Sequence, residues 1–312
     1  MDRADTDLDA AIAGGETLEL TPRSHFQIDY IATPASLSDY ITTFYHFRCD
    51  EEVIRDIQPA AIGHLALFPI GRGKMQFRDG TSDPSHEVNL LTPFSVAAPF
   101  EVTGGFHAIG AALSPLGWAA LTGLSANEHG NRLYRAADFL GPEVEELGLG
   151  LCADYRSGAK TGPDCALALG EYIATHLKPV NERHAELIAY TNRWLSSALD
   201  PSLDDLYAGA AYSERQVQRL VERYFGLPPQ TLLRKYRALR AAAYFSLPEL
   251  APEFEAQLGE AFYDQSHMIR EIQLFVGRTP ARLAHHDSPY LAEMLDQRNF
   301  REIDPRGMGE GE

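Results

Sequence analysis

The chain has 312 residues, enough for two domains that each bury a core, and its 45% hydrophobic and 23% charged content is ordinary for a globular protein. The net charge of −17 argues against a generally basic nucleic-acid binder, and no apolar run is long enough to predict a membrane span. Three scattered cysteines, Cys49, Cys152 and Cys165, favour a reducing cytoplasm over a disulfide framework.

The N-terminal half predicts a β-rich domain preceded by a polar, acidic segment. We interpret residues 1–25 as a flexible arm and residues 26–150 as a sensor or dimerisation domain, because short apolar runs alternate there with turn residues. Its predicted parts are a hairpin of 65–68 and 74–77 around Gly71–Gly73, strands at 88–91 and 106–113, and a turn at Gly104–Gly105. The pattern becomes helical from Leu116, and residues 151–182 are predicted to form a helical linker.

The C-terminal part, residues 183–290, predicts an all-helical domain followed by a tail at 291–312. Ser213 with Gln216 is typical of a capping box, and Asp264 is predicted to cap a second helix. Gly226 and Gly277 are placed to end those two helices. A long linking helix is predicted to start at Pro228–Pro229 and to reach Phe245.

This C-terminal segment repeats itself at a constant offset of 51 residues. Tyr212 corresponds to Tyr263 and Gly226 to Gly277, and each copy predicts a helix, a short turn and a second helix closed by glycine. Two helix-turn-helix units in one domain could occupy successive turns of a DNA major groove. The whole chain is therefore predicted to be α+β, with a β-rich domain followed by a double helix-turn-helix domain.

The charge of the repeat is balanced rather than basic. Between His184 and Tyr290 there are 11 Lys and Arg against 13 Asp and Glu, a net charge of −2, so most of the acidity lies elsewhere. The basic residues are clustered in two places. One cluster is Arg215, Arg219 and Arg223 on one face of the first recognition helix, and the other is Arg234, Lys235, Arg237 and Arg240 on the linking helix.

The segment from His184 to Leu283 resembles the DNA-binding domain of AraC-type (AraC/XylS) transcription regulators. The resemblance is carried by Tyr263–Arg270 followed by Gly277–Pro280, and by the weaker first copy that ends in Gly226–Pro229. It implies seven helices, with two recognition helices that enter major-groove segments about 34 Å apart. The N-terminal part is similar, less specifically, to the β-rich sensor modules that precede such domains.

The resemblance implies a set of DNA-contacting residues. Arg and Gln side chains can pair with the major-groove edges of guanine and adenine, and Lys or Arg can hold phosphates. Base contacts are expected from Arg215, Gln218, Arg219, Gln265, Ser266 and Arg270, and phosphate contacts from Lys235 and Arg278. His267 is expected to pack against a neighbouring helix rather than to touch DNA, and Trp194 to lie in the core.

These features predict a non-enzymatic regulator whose partner is double-stranded DNA, without a cofactor or metal. A small-molecule effector, RNA polymerase and a second copy of the chain are candidate partners, and a membrane is not. Two alternatives remain open at the level of sequence. One is a metal-dependent β-barrel enzyme that uses His64, His86 and His107, and the other is a regulator that binds protein and has little DNA affinity.

Overall fold

A computed structural model describes residues 26–245 and 258–284 of the chain. The predicted arm at 1–25, the tail at 291–312 and the start of the second repeat lie outside these ranges. The described residues form an antiparallel β-sheet domain followed by helices, so the predicted α+β class is confirmed. No helix within 26–245 or 258–284 is both long and apolar enough to cross a membrane.

Eight antiparallel strands form one curved sheet. Its main path runs β1-β2-β7-β4-β6-β8, while β3 pairs with the first half of β7 and β5 pairs with the end of β4. The strands are β1 (Phe26–Ile31), β2 (Ile41–Cys49), β3 (Val53–Gln58), β4 (Gly63–Gln76), β5 (Ser82–Pro84), β6 (Val88–Leu91), β7 (Ala98–Leu113) and β8 (Leu133–Arg135).

The predicted hairpin around Gly71–Gly73 and the predicted turn at Gly104–Gly105 are both wrong. Each glycine pair lies inside one long strand, and β4 and β7 stay paired on both sides of these sites. Gly71 and Gly104 adopt φ values of 80° and 79°, which bend the strands without reversing them. At Gly104 the neighbour of β7 changes from β3 to β2.

Within the described residues, five α-helices come after β7 and complete the N-terminal domain, with β8 between the second and the third. They are α1 (Pro115–Thr122), α2 (Ala126–His129), α3 (Ala137–Leu140), α4 (Pro142–Ser157) and α5 (Gly162–His176). Residues of α4 and α5 share a core cluster with Phe44, Leu67 and Ile109 of the sheet. Residues 151–182 therefore do not form a separate linker, because the boundary drawn after residue 150 falls inside α4 and both helices pack on the sheet.

The described part of the C-terminal domain is helical, and its long linking helix spans Pro229–Phe245 as predicted. Its described helices are α6 (Glu182–Ser196), α7 (Leu203–Gly209), α8 (Glu214–Phe225), α9 (Pro229–Phe245), helical residues 258–261, α10 (Gln265–Val276) and α11 (Pro280–Ala284). Gln216 accepts a hydrogen bond from the Ser213 backbone, and Gly226 and Gly277 close α8 and α10 in the left-handed conformation. Trp194 lies in the core, as expected, and donates its indole N–H to the Ser202 carbonyl.

The amphipathic split of α8 gives the first prediction. Leu220 is 3% exposed in the core, whereas the adjacent Arg219 projects into solvent. Leu220→Ala should lower the free energy of unfolding by about 2–5 kcal/mol because it leaves a cavity. The matched change Arg219→Ala should alter it by no more than about 0.5 kcal/mol. Urea unfolding of both variants measures the two changes in the free energy of unfolding. Equal losses would show that α8 does not bury the face that contains Leu220.

Candidate nucleic-acid interface and ligand cavity

Helix α8, for which we keep the name first recognition helix from the sequence resemblance, presents its polar residues on one exposed face. Val217, Leu220 and Val221 are buried, and the capping box at the start of the helix fixes its orientation. The side chains expected to contact bases are all exposed: Arg215, Gln218 and Arg219. Gln218 donates from its amide to the Tyr207 hydroxyl at 3.2 Å, which steadies this face from the supporting helix α7.

The second recognition helix, α10, repeats this arrangement. The Asp264 carboxylate accepts a hydrogen bond from the His267 backbone N–H at 2.7 Å, which caps the helix as predicted. Ile272 and Phe275 point into the core. Gln265, Ser266 and Arg270 are exposed, so the structure also leaves this second set accessible.

Lys235 and Arg278 do not fit the phosphate-binding role expected for them. Lys235 is 2% exposed, and its ammonium group donates to the Phe94 carbonyl at 2.8 Å. Arg278 is 3% exposed and forms a buried salt bridge with Asp56 of β3. Both cations belong to the contact with the N-terminal domain, and sequence could not show this because their partners are more than 140 residues away.

The basic cluster on α9 is likewise structural rather than DNA-facing. The Glu271 carboxylate of α10, which is 1% exposed, accepts hydrogen bonds from Arg234 and Arg237 of α9. Arg240 is also buried and donates to backbone carbonyls at the end of α6. His267 lies 3.3 Å from Glu271, one turn along the same helix, so this contact does not test its expected packing against a neighbouring helix. This network joins the linking helix firmly to the second recognition helix.

Tyr263 is a candidate contact that sequence reasoning missed. It is 94% exposed in the turn immediately before α10. Its counterpart Tyr212 is half-buried against His184. The signal was present in the repeat itself, since a large aromatic residue stands in a turn beside the helix N-terminus that would face DNA.

The curved sheet of the N-terminal domain encloses a cavity. The space that it leaves for the centres of water-sized molecules is about 100 Å³, and the cavity is partly open to solvent. Aromatic and aliphatic side chains dominate the lining, including Phe47, Phe68, Met75, Phe100, Val102 and Phe106. Among the described residues that line it, Lys74 is the single side chain with a positive charge, and none carries a carboxylate.

The deep polar groups of the cavity are uncharged at neutral pH. The His64 imidazole lies 3.2 Å from the Tyr45 hydroxyl, both within the cavity wall. Burial lowers the pKa of His64 to about 4 and raises the pKa of Tyr45 well above its usual value. The pair can therefore exchange hydrogen bonds with a ligand but supplies no charge to it.

The histidines do not assemble a metal site in the part of the chain that is described. No group of three or more His, Cys, Asp or Glu side chains within these ranges could hold a metal ion. His107 instead lies 2.6 Å from the Tyr155 hydroxyl, which also contacts His46 at 2.8 Å. This polar cluster pins α4 to strands β2 and β7.

Comparisons with known proteins give backbone similarity only. No protein-family model matches the chain, and no curated protein matches its sequence. The chain is similar to the 1.65 Å structure of ToxT from Vibrio cholerae, with 10% identity, 84% of this chain and 98% of that chain covered, and a TM-score of 0.47. ToxT from Vibrio cholerae O395 gives 12% identity, 88% and 99% coverage and a TM-score of 0.44. Wild-type ToxT from strain SCE256 bound to an unsaturated fatty acid is 9% identical, with 87% of this chain and 96% of that chain covered and a TM-score of 0.40.

The buried His64 predicts a pH dependence of stability. The pKa of His64 is about 4 in the folded chain and about 6.5 in the unfolded chain. As the pH falls from 6.5 towards 4, the imidazole is therefore protonated in the unfolded chain but stays neutral in the folded chain. Stability present above pH 6.5 should therefore be lost towards pH 4. Between pH 7 and 5 the His64→Gln variant should lose about 2 kcal/mol less than the wild type. Urea unfolding at both pH values tests this, and parallel losses would contradict the neutral, buried His64.

Proposed function

We propose that the chain is an AraC-type, effector-responsive transcription regulator that reads DNA with both recognition helices. The single observation that supports this most is an exposed polar face on each of two capped helices, with Arg219 and Arg270 at equivalent positions of the repeat. Arg215, Gln218 and Arg219 on α8 and Gln265, Ser266 and Arg270 on α10 project into solvent, while the opposite faces of both helices are buried. Arg and Gln are the side chains that pair bidentately with guanine and adenine.

The positions of the arginines indicate how the proposed DNA affinity divides between specific and non-specific binding. The arginines of the linking helix are used inside the protein, so Arg215, Arg219, Arg223 and Arg270 remain as exposed cations of the two recognition helices. Because non-specific affinity comes from neutralised phosphates, we expect weak non-specific binding and a large share of affinity from base contacts.

The exposed Arg270 supplies the direct test of DNA reading. DNA fragments selected by the full-length protein from a random pool define its site, and a gel shift then compares variants on that site. Arg270→Ala should weaken binding by about 1–3 kcal/mol and relax specificity at one base pair. The control Arg55→Ala removes an exposed arginine of β3 that pairs with Glu101, and it should leave affinity unchanged.

Each outcome of that experiment is informative. Equal loss in Arg55→Ala and Arg270→Ala would indicate a general charge effect rather than base reading. No enrichment of any DNA at low salt, where electrostatic binding is strongest, would instead favour a regulator that binds protein.

We further propose that the N-terminal cavity is the effector site and that its ligand has an apolar body and one anionic end. The aromatic lining suits the body, and the neutral Tyr45–His64 pair can donate or accept hydrogen bonds. The ammonium group of Lys74 suits the anionic end. The carboxylate of Glu101 lies 3.9 Å from this group and pairs more closely, at 3.0 Å, with Arg55, so it neutralises Lys74 only weakly. One structure of ToxT, whose backbone is similar, is described as bound to an unsaturated fatty acid.

Displacement of the fluorescent probe N-phenyl-1-naphthylamine tests this ligand class. Decanoate should displace the probe at several-fold lower concentration than decanol, since a partly exposed ion pair contributes up to about 1 kcal/mol. Lys74→Met should remove that preference and leave displacement by decanol unchanged. The control Lys160→Met loses the same charge outside the cavity and should retain the preference. Failure of the probe to bind, or an unchanged preference in Lys74→Met, would contradict the assignment.

A further inference from the structure

Both recognition helices end against the N-terminal domain at equivalent positions of the repeat. Gly226 closes α8 beside Ala126 of α2, where an added Cβ would lie 3.4 Å from the Ala126 carbonyl oxygen. Gly277 closes α10 beside Ile57 of β3, where an added Cβ would come within 2.4 Å of the isoleucine side chain. The C-terminal ends of both recognition helices therefore contact the N-terminal domain.

The contact at the end of α10 is polar and specific. The last carbonyls of a helix lack partners within it, and here two of them are satisfied by the other domain. The Phe275 carbonyl accepts from the Ala60 backbone N–H at 2.8 Å, and the Leu274 carbonyl accepts from the Ala97 N–H at 3.1 Å. Next to them, Arg278 forms its salt bridge with Asp56, and both side chains are about 97% buried.

The linking helix α9 is attached to the same domain. Lys235 donates to the Phe94 carbonyl, and the Phe94 backbone N–H in turn bonds to Ala61, which lies in the core of the helical domain. Because Glu271 ties α10 to α9, the N-terminal domain holds α8, α9 and α10 as a unit. We refer to this surface, formed by Asp56–Ala61, Phe94–Ala97 and Ala126 against the ends of α8, α9 and α10, as the seam.

From this geometry we propose that the seam sets the spacing between the two recognition helices, and that Asp56 and Arg278 act as its positioning pair. The inference rests on the proposed DNA-binding function. The separation of the half-sites that the chain prefers is then fixed by the N-terminal domain and not by the helical domain alone. Neither residue touches DNA in this account, since both are buried within the protein.

The experiment measures spacing tolerance with the full-length chain. The two halves of its selected site are kept constant, and the spacer between them is lengthened or shortened by one to three base pairs. Wild-type protein should strongly prefer one spacing. Asp56→Arg places two like charges in the seam and should reduce the preference about tenfold, while binding to each half-site alone stays constant. The charge-swapped Asp56→Arg/Arg278→Asp protein should recover the preference.

Hydrogen exchange provides an independent readout of the seam. The Ala60 and Ala97 amides should exchange faster in Asp56→Arg and slowly again in the charge-swapped protein. If Asp56→Arg does not fold, Ala97→Pro serves instead, because it deletes one donor to α10 and leaves the salt bridge in place.

The outcomes separate this inference from the proposed function. Wild-type binding that is equal at all spacings would overturn the inference alone. The inference would also be overturned if the Asp56→Arg variant kept the wild-type spacing preference while its Ala60 and Ala97 amides exchanged freely. Absence of DNA binding by the wild type at every spacing would overturn the proposed function and this inference together.

Discussion

The fold depends on a single constraint, the burial of the carboxyl end of α10 against the sheet domain. A helix end carries unsatisfied carbonyls, and an arginine next to it must find a partner if it is to lie within the protein. Backbone N–H groups of Ala60 and Ala97 satisfy the carbonyls, and Asp56 pairs with Arg278. Breaking a buried pair on one side only costs several kcal/mol, so this contact favours a defined arrangement of the two domains.

The distribution of charge explains how an acidic protein can carry the surface that we propose reads DNA. The cations of α9 neutralise Glu271 and cap carbonyls inside the domain, and the exposed arginines are left on α8 and α10. The buried cations of α9 therefore stabilise the fold, whereas the exposed arginines of α8 and α10 are available to contact a base or a phosphate. The net charge of −17 reduces general affinity for nucleic acid, which leaves recognition to a few positioned side chains.

Local features of the helical domain could be predicted from the sequence because each is encoded within a few residues. The capping box at Ser213, the cap at Asp264 and the closing glycines Gly226 and Gly277 are all found where their patterns place them. The inward and outward faces of α8 and α10 followed from helical periodicity for the same reason. The exposure of the candidates, from Arg215 to Arg270, follows from that periodicity, whereas their expected role in DNA contact comes from the resemblance.

Features that depend on distant partners could not be predicted. Gly71 and Gly104 resemble turns in isolation, but pairing along the full length of β4 and β7 makes them bends. Lys235 and Arg278 look like surface cations until the strand and loop that accept them, at Asp56 and Phe94, are brought alongside. The cavity also escapes detection, because its lining comes from strands far apart in the sequence.

The central claim is that one chain reads two neighbouring major-groove segments, and protection of guanine N7 from methylation by dimethyl sulfate tests it most directly. This atom faces the major groove, where Arg side chains are expected to pair with it. With selected DNA, the account predicts two protected clusters about 34 Å, or one helical turn, apart, and weaker protection within one cluster alone in Arg270→Ala. A single cluster, or protection that is unaffected by changes on either recognition helix, would contradict it.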